Sequence, residues 1–207
     1  MSSPIRGTGR QYWVALRSMI LLTIVLGIAY PLVITGIGQL TMPGQSNGST
    51  VQYQGKVVGS SLIGQGFTTK KGAPLTQWFQ SRPSAAGDGW NAEESSPSNL
   101  GPNNPVLVKE IQQRRAVIEK TYGVTAAQIP PDAVTASGSG LDPDISPAYA
   151  QLQIDTIAKT RGISAASVRK LVDEHTAGRE LGYLGNPTVN VLQLNIALAE
   201  LDPSGND

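Results

Sequence analysis

The residues with the clearest potential for chemistry lie in the stretch 137–147, which combines glycines, hydroxyls and two aspartates. Residues 137–140 precede a predicted helix start, so their backbone N–H groups could cradle an anion. Asp142 and Asp144 are separated only by Pro143, and their carboxylates could instead bind a cation. A third interpretation, which we favour, is a rigid turn in which both aspartates accept local backbone hydrogen bonds. No P-loop pattern occurs in the stretch.

His175 is the only histidine of the sequence and lies beside Asp173 and Glu174 in a predicted helix. A catalytic role for His175 is therefore one hypothesis. The sequence has no Gly-x-Ser-x-Gly nucleophile elbow, and a single histidine with no cysteine leaves a histidine- or thiolate-based metal site short of ligands. We therefore expect no metal site and no catalytic centre in this chain.

Two aromatic residues and a cation are grouped at Trp78, Phe79 and Arg82. They could form a patch for a binding partner. In a chain with few aromatic residues, however, such side chains more often fill the core, and we favour core packing. Residues 78–80 are predicted as a strand, and residues 83–105 as a long irregular loop because Gly, Ser, Asn and Pro dominate them.

Turn and helix signals predict the elements that must position these residues. Gln54-Gly55 separates two short strand patterns, 51–53 and 56–58, and predicts a hairpin. Farther along, several stretches combine helical periodicity with start or stop signals. Their bounds are Pro105 and Gly123, Ser146-Pro147 and Gly162, Ser164 and Gly178, and Val191 and Pro203. The expected fold class is α/β of the α+β type, with a small sheet, several helices and a frayed end after residue 203.

Residues 18–55 carry no charge, and the apolar block 19–37 opens this run. At about 1.5 Å per helical residue the block reaches roughly 30 Å, the thickness of a bilayer's hydrocarbon core. Arg6, Arg10 and Arg17 precede the run, whereas no basic residue occurs inside it, so the charge bias places the N-terminus in the cytoplasm. A cleaved signal peptide is the alternative, but a shorter apolar region and a clear cleavage site are expected for one.

The predicted organisation is a cytoplasmic N-terminus at 1–17, a transmembrane helix at 18–40, a flexible linker at 41–50 and one extracytoplasmic domain at 51–207. The expected location is the cell membrane, with the lipid bilayer as one partner. The chain has 16 basic and 15 acidic residues, and three of the basic residues precede the membrane segment. The outer part is therefore close to neutral, which gives no support for nucleic-acid binding. The absence of cysteine excludes disulfides.

Several blocks of the sequence together resemble KdpC, the C subunit of the Kdp potassium-transporting ATPase. They lie at 30–36 in the membrane span and at 78–86, 98–102, 137–147, 171–176, 181–185 and 189–195 in the outer part. The positions that match the family pattern, and that we expect to serve interaction or structure, are Arg82, Pro83, Ser84, Asn99, Ser137, Gly138, Ser139, Gly140, Leu141, Asp142, Pro143, Ser146, Pro147, His175, Asn190 and Asn195. The chain departs from the pattern at Thr156, Asn186 and Thr188, where arginine, glutamate and arginine are expected.

The resemblance implies an accessory subunit of a four-part complex that imports potassium with high affinity. A channel-like A subunit would bind K⁺, the B subunit would hydrolyse ATP, and an F subunit would complete the assembly. This chain would have no cofactor of its own, since ATP and K⁺ act at the level of the complex. The sequence agrees with this division, because it has neither a Thr-Val-Gly-Tyr-Gly potassium filter nor an Asp-Lys-Thr-Gly phosphorylation motif.

The family is also described as a catalytic chaperone that raises the ATP affinity of the B subunit, and Gln153 matches a glutamine implicated in nucleotide contact. The predicted topology opposes direct contact, because it places Gln153 outside while ATP is held inside. We therefore prefer an indirect role, in which the helix locks onto the A subunit and the outer domain covers or stabilises the potassium entrance. Gln153 would then make a helix-surface or capping hydrogen bond. An anchored enzyme or ligand-binding module that uses Asp142, Asp144 and His175 is the alternative.

Overall fold

The computed structural model describes residues 8–206, and the chain divides into two compact units between Ser49 and Thr50. The first unit is dominated by one continuous helix, Thr8–Thr41, which is long and apolar enough to cross a membrane. It consists of α1 at Thr8–Leu22, a π-helical segment at Thr23–Ala29 and α2 at Tyr30–Thr41. Thr8 is the first described residue, so the described helix includes residues on the N-terminal side of the predicted membrane segment 18–40, and Arg6 lies outside the described residues.

The stretch expected to be a flexible linker, 41–50, contains a single helical turn, α3, at Pro43–Ser46. The side-chain nitrogen of Asn47 donates to the Pro43 carbonyl oxygen at 2.7 Å and to the Gln39 side-chain oxygen at 3.1 Å. These bonds hold the turn closed. The stretch therefore contains local hydrogen bonds beside the small polar residues from which a linker was predicted.

The second unit begins with the predicted hairpin. Strands β1, Thr50–Tyr53, and β2, Lys56–Ser60, pair antiparallel on either side of Gln54 and Gly55. These two turn residues have positive φ angles of 51° and 75°. Positive φ at both central positions gives the turn the twist of the flanking strands and favours glycine at the second of them. The hairpin prediction is confirmed.

A second, three-stranded antiparallel sheet has the strand order β3-β5-β4 and was not predicted. Its strands are β3 at Asp144–Ile145, β4 at Thr176–Ala177 and β5 at Thr188–Asn190. Strands this short show no alternation that a sequence pattern could reveal. The sheet also shortens the third predicted helix, which ends at Glu174 rather than near Gly178 because Thr176 pairs with Val189.

Apart from that early end, the helices of the second unit start and end as their capping signals predict. They are α4 at Pro105–Tyr122, α5 at Pro147–Arg161, α6 at Ala165–Glu174 and α7 at Val191–Leu201. The side chains of Ser146 and Ser164 accept N–H groups in the first turns of α5 and α6. Gly123 and Gly162 end α4 and α5 in the left-handed conformation.

Helix α5 contributes the largest number of fully enclosed side chains to the hydrophobic core, including Ile154 and Ile157. The same cluster contains side chains from α6, α7 and the three-stranded sheet. Its other large and almost completely buried members are Phe79, Ile145, Val168, Val172, Val189, Val191, Leu194 and Leu198. The predicted mixed class, with small sheets and several helices, is confirmed, and Phe79 takes the core position that we favoured for it.

Candidate functional site

The segment 77–86, which carries the first family block of the outer part, is held by side chains instead of by a neighbouring strand. The strand predicted at 78–80 is wrong, since the described structure assigns no strand there. Asn195 accepts the Phe79 N–H at 2.9 Å and donates to the Phe79 carbonyl oxygen at 3.0 Å. Gln153 accepts the Gln80 N–H at 2.7 Å and donates to the Gln80 carbonyl oxygen at 3.3 Å. We call Gln153 and Asn195 the amide clamp.

The amide clamp explains why the segment needs no strand partner. Buried main-chain N–H and C=O groups must be paired, and a side-chain amide offers both a donor and an acceptor. Gln153 is fully buried, and Asn195 is 2% exposed. The two residues belong to α5 and α7, so the clamp ties both helices to one irregular segment. The strand prediction failed because distant side chains took the place of a second strand.

Gln153 has a further partner on α4. The Tyr122 hydroxyl donates to the Gln153 side-chain oxygen at 3.3 Å. Burial raises the pKa of Tyr122 well above its ordinary value, so the phenol stays protonated and remains a donor. The expected helix-surface or capping hydrogen bond at Gln153 is therefore wrong, because the amide is enclosed and joins α5 to α4 and to the Gln80 backbone.

A cavity of about 320 Å³ adjoins the clamp through Gln80 and Tyr122, which both contribute to its wall. Tyr149, Trp90 and Arg114 also line it, beside several smaller polar side chains. Burial raises the pKa of Tyr149, with a smaller contribution from Tyr122, so this phenol is also protonated near neutral pH. A molecule in the cavity would meet the partners of Gln153, which is itself not part of the lining.

Arg82 and the two aspartates of the stretch 137–147 form one polar group. Arg82 Nη1 donates to Asp142 Oδ2 at 2.8 Å in a partly exposed ion pair. Asp142 Oδ1 accepts the Asp144 N–H at 3.1 Å, as the rigid-turn interpretation predicts. Asp144 differs, because its Oδ1 accepts from the side chain of Asn190 at 3.1 Å. Since Arg82 balances the charge of Asp142, the aspartates have less negative charge to offer a cation than the sequence suggested.

Ser84 connects the segment 77–86 to Gly140. Its hydroxyl donates to the Gly140 carbonyl oxygen at 2.6 Å and accepts the Trp90 N–H at 2.8 Å. Gly140 has a φ of 69°, and a Cβ there would lie 2.6 Å from the Ser96 carbonyl oxygen and 2.8 Å from the Ala86 nitrogen. The backbones approach so closely at this point that only glycine fits without displacement.

The start of α5 is capped by a hydrogen bond from within the chain. Ser146 Oγ accepts the Tyr149 N–H at 3.1 Å. The Ser146 N–H and hydroxyl donate to the two carboxylate oxygens of Asp132 at 2.7 and 2.9 Å. Asp132 thus places a negative charge at the start of α5, where it disfavours a bound anion close to the residues 137–140 that the anion-cradle interpretation proposed. Sequence analysis missed Asp132, because no local pattern connects it with a serine 14 residues away.

Arg161, the last residue of α5, organises a second set of contacts that sequence analysis missed. Its guanidinium carbon lies 4.4 Å from the centre of the Trp78 ring. Its Nη1 donates to the Asp202 carbonyl oxygen at 3.0 Å and to the Asn206 side-chain oxygen at 3.3 Å. Burial lowers the pKa of Arg161, and the charge of Asp202 opposes that effect. Within the end that was predicted to fray, Pro203–Asn206 forms a 3₁₀ turn that Arg161 contacts through Asn206, and Asp207 lies outside the described residues.

His175 and Asn99 lie apart from the amide clamp. His175 follows α6, and its Nδ1 is 2.8 Å from the Leu171 carbonyl oxygen of the same helix end. Asn99 is exposed and has a left-handed φ of 52°. Neither residue is hydrogen bonded to Gln153 or Asn195 in the part of the chain that the structure describes.

Comparison with known proteins adds a second line of observation. A family model described as KdpC, K⁺-transporting ATPase c chain, matches residues 12–200. This chain belongs to the KdpC family. A KdpC relative from Streptomyces avermitilis is 46% identical and covers 97% of this chain and 98% of its own length. KdpC relatives from Beijerinckia indica and Mycobacterium bovis are 49% and 46% identical, covering 87% and 93% of this chain and 89% and 99% of their own lengths.

The KdpC match includes most of the membrane-length helix and nearly all of the second unit. Residues 12–200 contain both members of the amide clamp, the Arg82–Asp142 ion pair and Gly140. All three relatives are named Potassium-transporting ATPase KdpC subunit. The resemblance inferred from the separate sequence blocks is therefore confirmed over almost the whole chain.

Proposed function

We propose that this chain is an accessory, non-pumping subunit of an ATP-driven potassium importer. The observation that carries the proposal is the match to the K⁺-transporting ATPase c chain over residues 12–200. Its partners would be the channel-like A subunit, the ATP-hydrolysing B subunit and the F subunit. ATP and K⁺ would be bound by those partners, and this chain would stabilise their assembly.

The helix Thr8–Thr41 would anchor the chain in the cell membrane once. Arg10 and Arg17 lie in α1, and the next basic residue is Lys56 in β2, so the charge bias favours a cytoplasmic N-terminus. The second unit would then be extracytoplasmic, on the side from which potassium enters. A domain there can influence the complex by contacting the outer surface of the A subunit.

In this role the second unit would act as a stiff brace over the potassium entrance, and its internal contacts would supply the stiffness. The amide clamp, the Ser146–Asp132 bonds and the Arg161 contacts each join segments that are distant in sequence. Such a brace assists ATP use only if it binds one transport state of the complex more tightly than another. A bound partner shifts the equilibrium between two states only by the difference in its affinity for them. The chaperone effect on the B subunit would accordingly be indirect.

Gln153 would act in this brace as an internal tie. Both polar groups of its side chain are engaged, and the side chain is fully buried. A nucleotide could bond to it only after Gln80 or Tyr122 had been displaced. The alternative of an anchored enzyme or ligand-binding module has no comparable support, since Asp142 is paired with Arg82 and His175 lies in a separate place.

The deciding experiment is purification of the complex from potassium-starved cells through a tag on the B subunit, with and without this chain. We expect a stoichiometric complex whose K⁺-stimulated ATP hydrolysis falls severalfold when the chain is omitted and returns when purified chain is added. Full activity without the chain would overturn the accessory role. Turnover by the isolated chain would revive the enzyme alternative.

A further inference from the structure

The main-chain hydrogen bonding of the membrane-length helix is interrupted before Pro31. In an α-helix each carbonyl oxygen accepts the N–H four residues further on. In the π-helical segment Thr23–Ala29 the spacing is five, and the Tyr30 N–H donates to the Val25 carbonyl oxygen. The Leu26 carbonyl thereby loses Tyr30 as its donor, and the residue five places on, Pro31, has no N–H. In the described helix, the Leu26 oxygen has no main-chain donor at either spacing.

Side chains of the same helix do not replace that donor. Serine and threonine hydroxyls commonly bond a carbonyl oxygen three or four residues before them. The residues at those places after Leu26 are Ala29 and Tyr30. Alanine has no polar atom, and the hydroxyl of Tyr30 is held at the far end of a rigid ring. The donor must therefore come from outside this helix.

The position of Leu26 in the membrane makes an unpaired carbonyl group energetically costly. Leu26 lies near the middle of the apolar helix Thr8–Thr41, where a bilayer contains no water to pair with a carbonyl group. Freed backbone groups in membrane helices are normally satisfied by neighbouring helices or by ordered water. Beside Leu26 the helix surface is open, because a Cβ at Gly27 would meet only Thr23 Cγ2, at 3.8 Å. Small residues of this kind let another helix approach closely.

We propose that the Leu26 carbonyl accepts a hydrogen bond from a hydroxyl or amide side chain on a transmembrane helix of another subunit, which Gly27 admits to close range. The inference rests on the proposed function, since the partner is a subunit of the transporter. A second copy of this chain fits less well. The charge bias inserts both copies in the same direction, so they face each other at equal depth. Residues 26–29 are Leu, Gly, Ile and Ala, which provide no side-chain donor, and the nearest hydroxyls in sequence, those of Thr23 and Tyr30, lie about one turn away from Leu26.

Three variants of the full chain, co-expressed with the other subunits and recovered through a tag on the B subunit, test this contact. Gly27→Leu blocks close approach, and Pro31→Ala returns an N–H to the helix. Both should lower the ratio of this chain to the B subunit after dilution in mild detergent, by roughly threefold to tenfold for the loss of one hydrogen bond between membrane helices. Gly36→Leu is the matched control and should behave as wild type, because Gly36 lies nine residues beyond Gly27, away from the Leu26 carbonyl, and its Cβ fits the helix equally well.

Retention of both Gly27→Leu and Pro31→Ala at the wild-type level would overturn the inference. So would an equal loss for Gly36→Leu, which would indicate general packing. Because the chain has no cysteine, a Gly27→Cys variant that carries a short photo-crosslinker gives a second measurement. We expect an adduct with another membrane subunit, and either no adduct or a link only to a second copy contradicts the proposal. If the wild-type chain itself is not recovered with the B subunit, the proposed function fails instead.

Discussion

Gln153 and Gln80 are joined by two hydrogen bonds that reproduce the pairing of a β-ladder with a single side chain. The Gln153 oxygen accepts the Gln80 N–H at 2.7 Å, and the Gln153 nitrogen donates to the Gln80 carbonyl oxygen at 3.3 Å. Asn195 repeats the arrangement on Phe79. The second unit thus uses side-chain amides where a sheet would use another strand, and its stability should depend on them.

Gln153→Ala should lower the free energy of unfolding by about 2–4 kcal/mol, because it leaves the buried N–H and carbonyl of Gln80 unpaired. Urea unfolding of the full chain in detergent, followed by tryptophan fluorescence, measures the change. The control is Gln151→Ala on the exposed side of α5, for which we expect a change within about 0.5 kcal/mol. Direct nucleotide contact would be favoured if the Gln153→Ala chain unfolded like wild type but lowered the apparent ATP affinity of the assembled complex.

The two members of the amide clamp should be energetically coupled. They bind consecutive residues, Phe79 and Gln80. Loss of one amide should therefore increase the mobility of the segment and weaken the hydrogen bonds that the other amide still makes. A double-mutant cycle with Gln153→Ala and Asn195→Ala should show a coupling of about 0.5–3 kcal/mol, with the double variant losing less than the sum of the single variants. Simple additivity would mean that the two amides act independently.

Gly140→Ala should destabilise the chain by about 1–3 kcal/mol, because its φ of 69° is strained for alanine and the new Cβ would collide with the Ser96 carbonyl oxygen. Gly138→Ala is the matched control in the same stretch, since a Cβ there meets nothing within 4 Å. Thermal unfolding of the two variants side by side makes the comparison. Equal midpoints for both would show that the close approach at Gly140 is absent in solution.

The carboxylate of Asp202 should make stability depend on pH in the acid range. The hydrogen bond from Ser204, with help from Arg161, lowers the pKa of Asp202 below its ordinary value of 3.8. A carboxyl group with a lowered pKa stabilises the native state above its unfolded pKa, and this contribution is lost as the pH falls through the native value. The stability difference between wild type and Asp202→Asn should therefore be constant near about pH 6 and shrink below about pH 4. A difference that persists unchanged at lower pH would exclude the charged carboxylate as its source.

Features controlled by neighbouring residues could be predicted well. Ser146-Pro147 and Gly162 mark the start and end of α5, because capping groups act within one helical turn. Gln54-Gly55 marks the hairpin for the same reason. The membrane-length helix follows from composition, because a long apolar run is a property of adjacent residues.

Features controlled by distant residues were missed or wrongly assigned. The end of α6 moved to Glu174 because Thr176 joins a sheet with Val189, a pairing that no local pattern encodes. Residues 202–206 are tied to α5 because Arg161 reaches Asp202 and Asn206 across more than 40 residues.

The sequence by itself determined the anchor helix, the helix caps, the hairpin and the blocks that indicated the KdpC family, since each is a property of adjacent residues or of their order. Only the tertiary structure decided what the polar family residues do. Gln153 lies 73 residues from Gln80, and Asn195 lies 116 residues from Phe79. An amide can pair with any main-chain group that the fold brings within about 3 Å, so its partner is set by packing and not by sequence spacing.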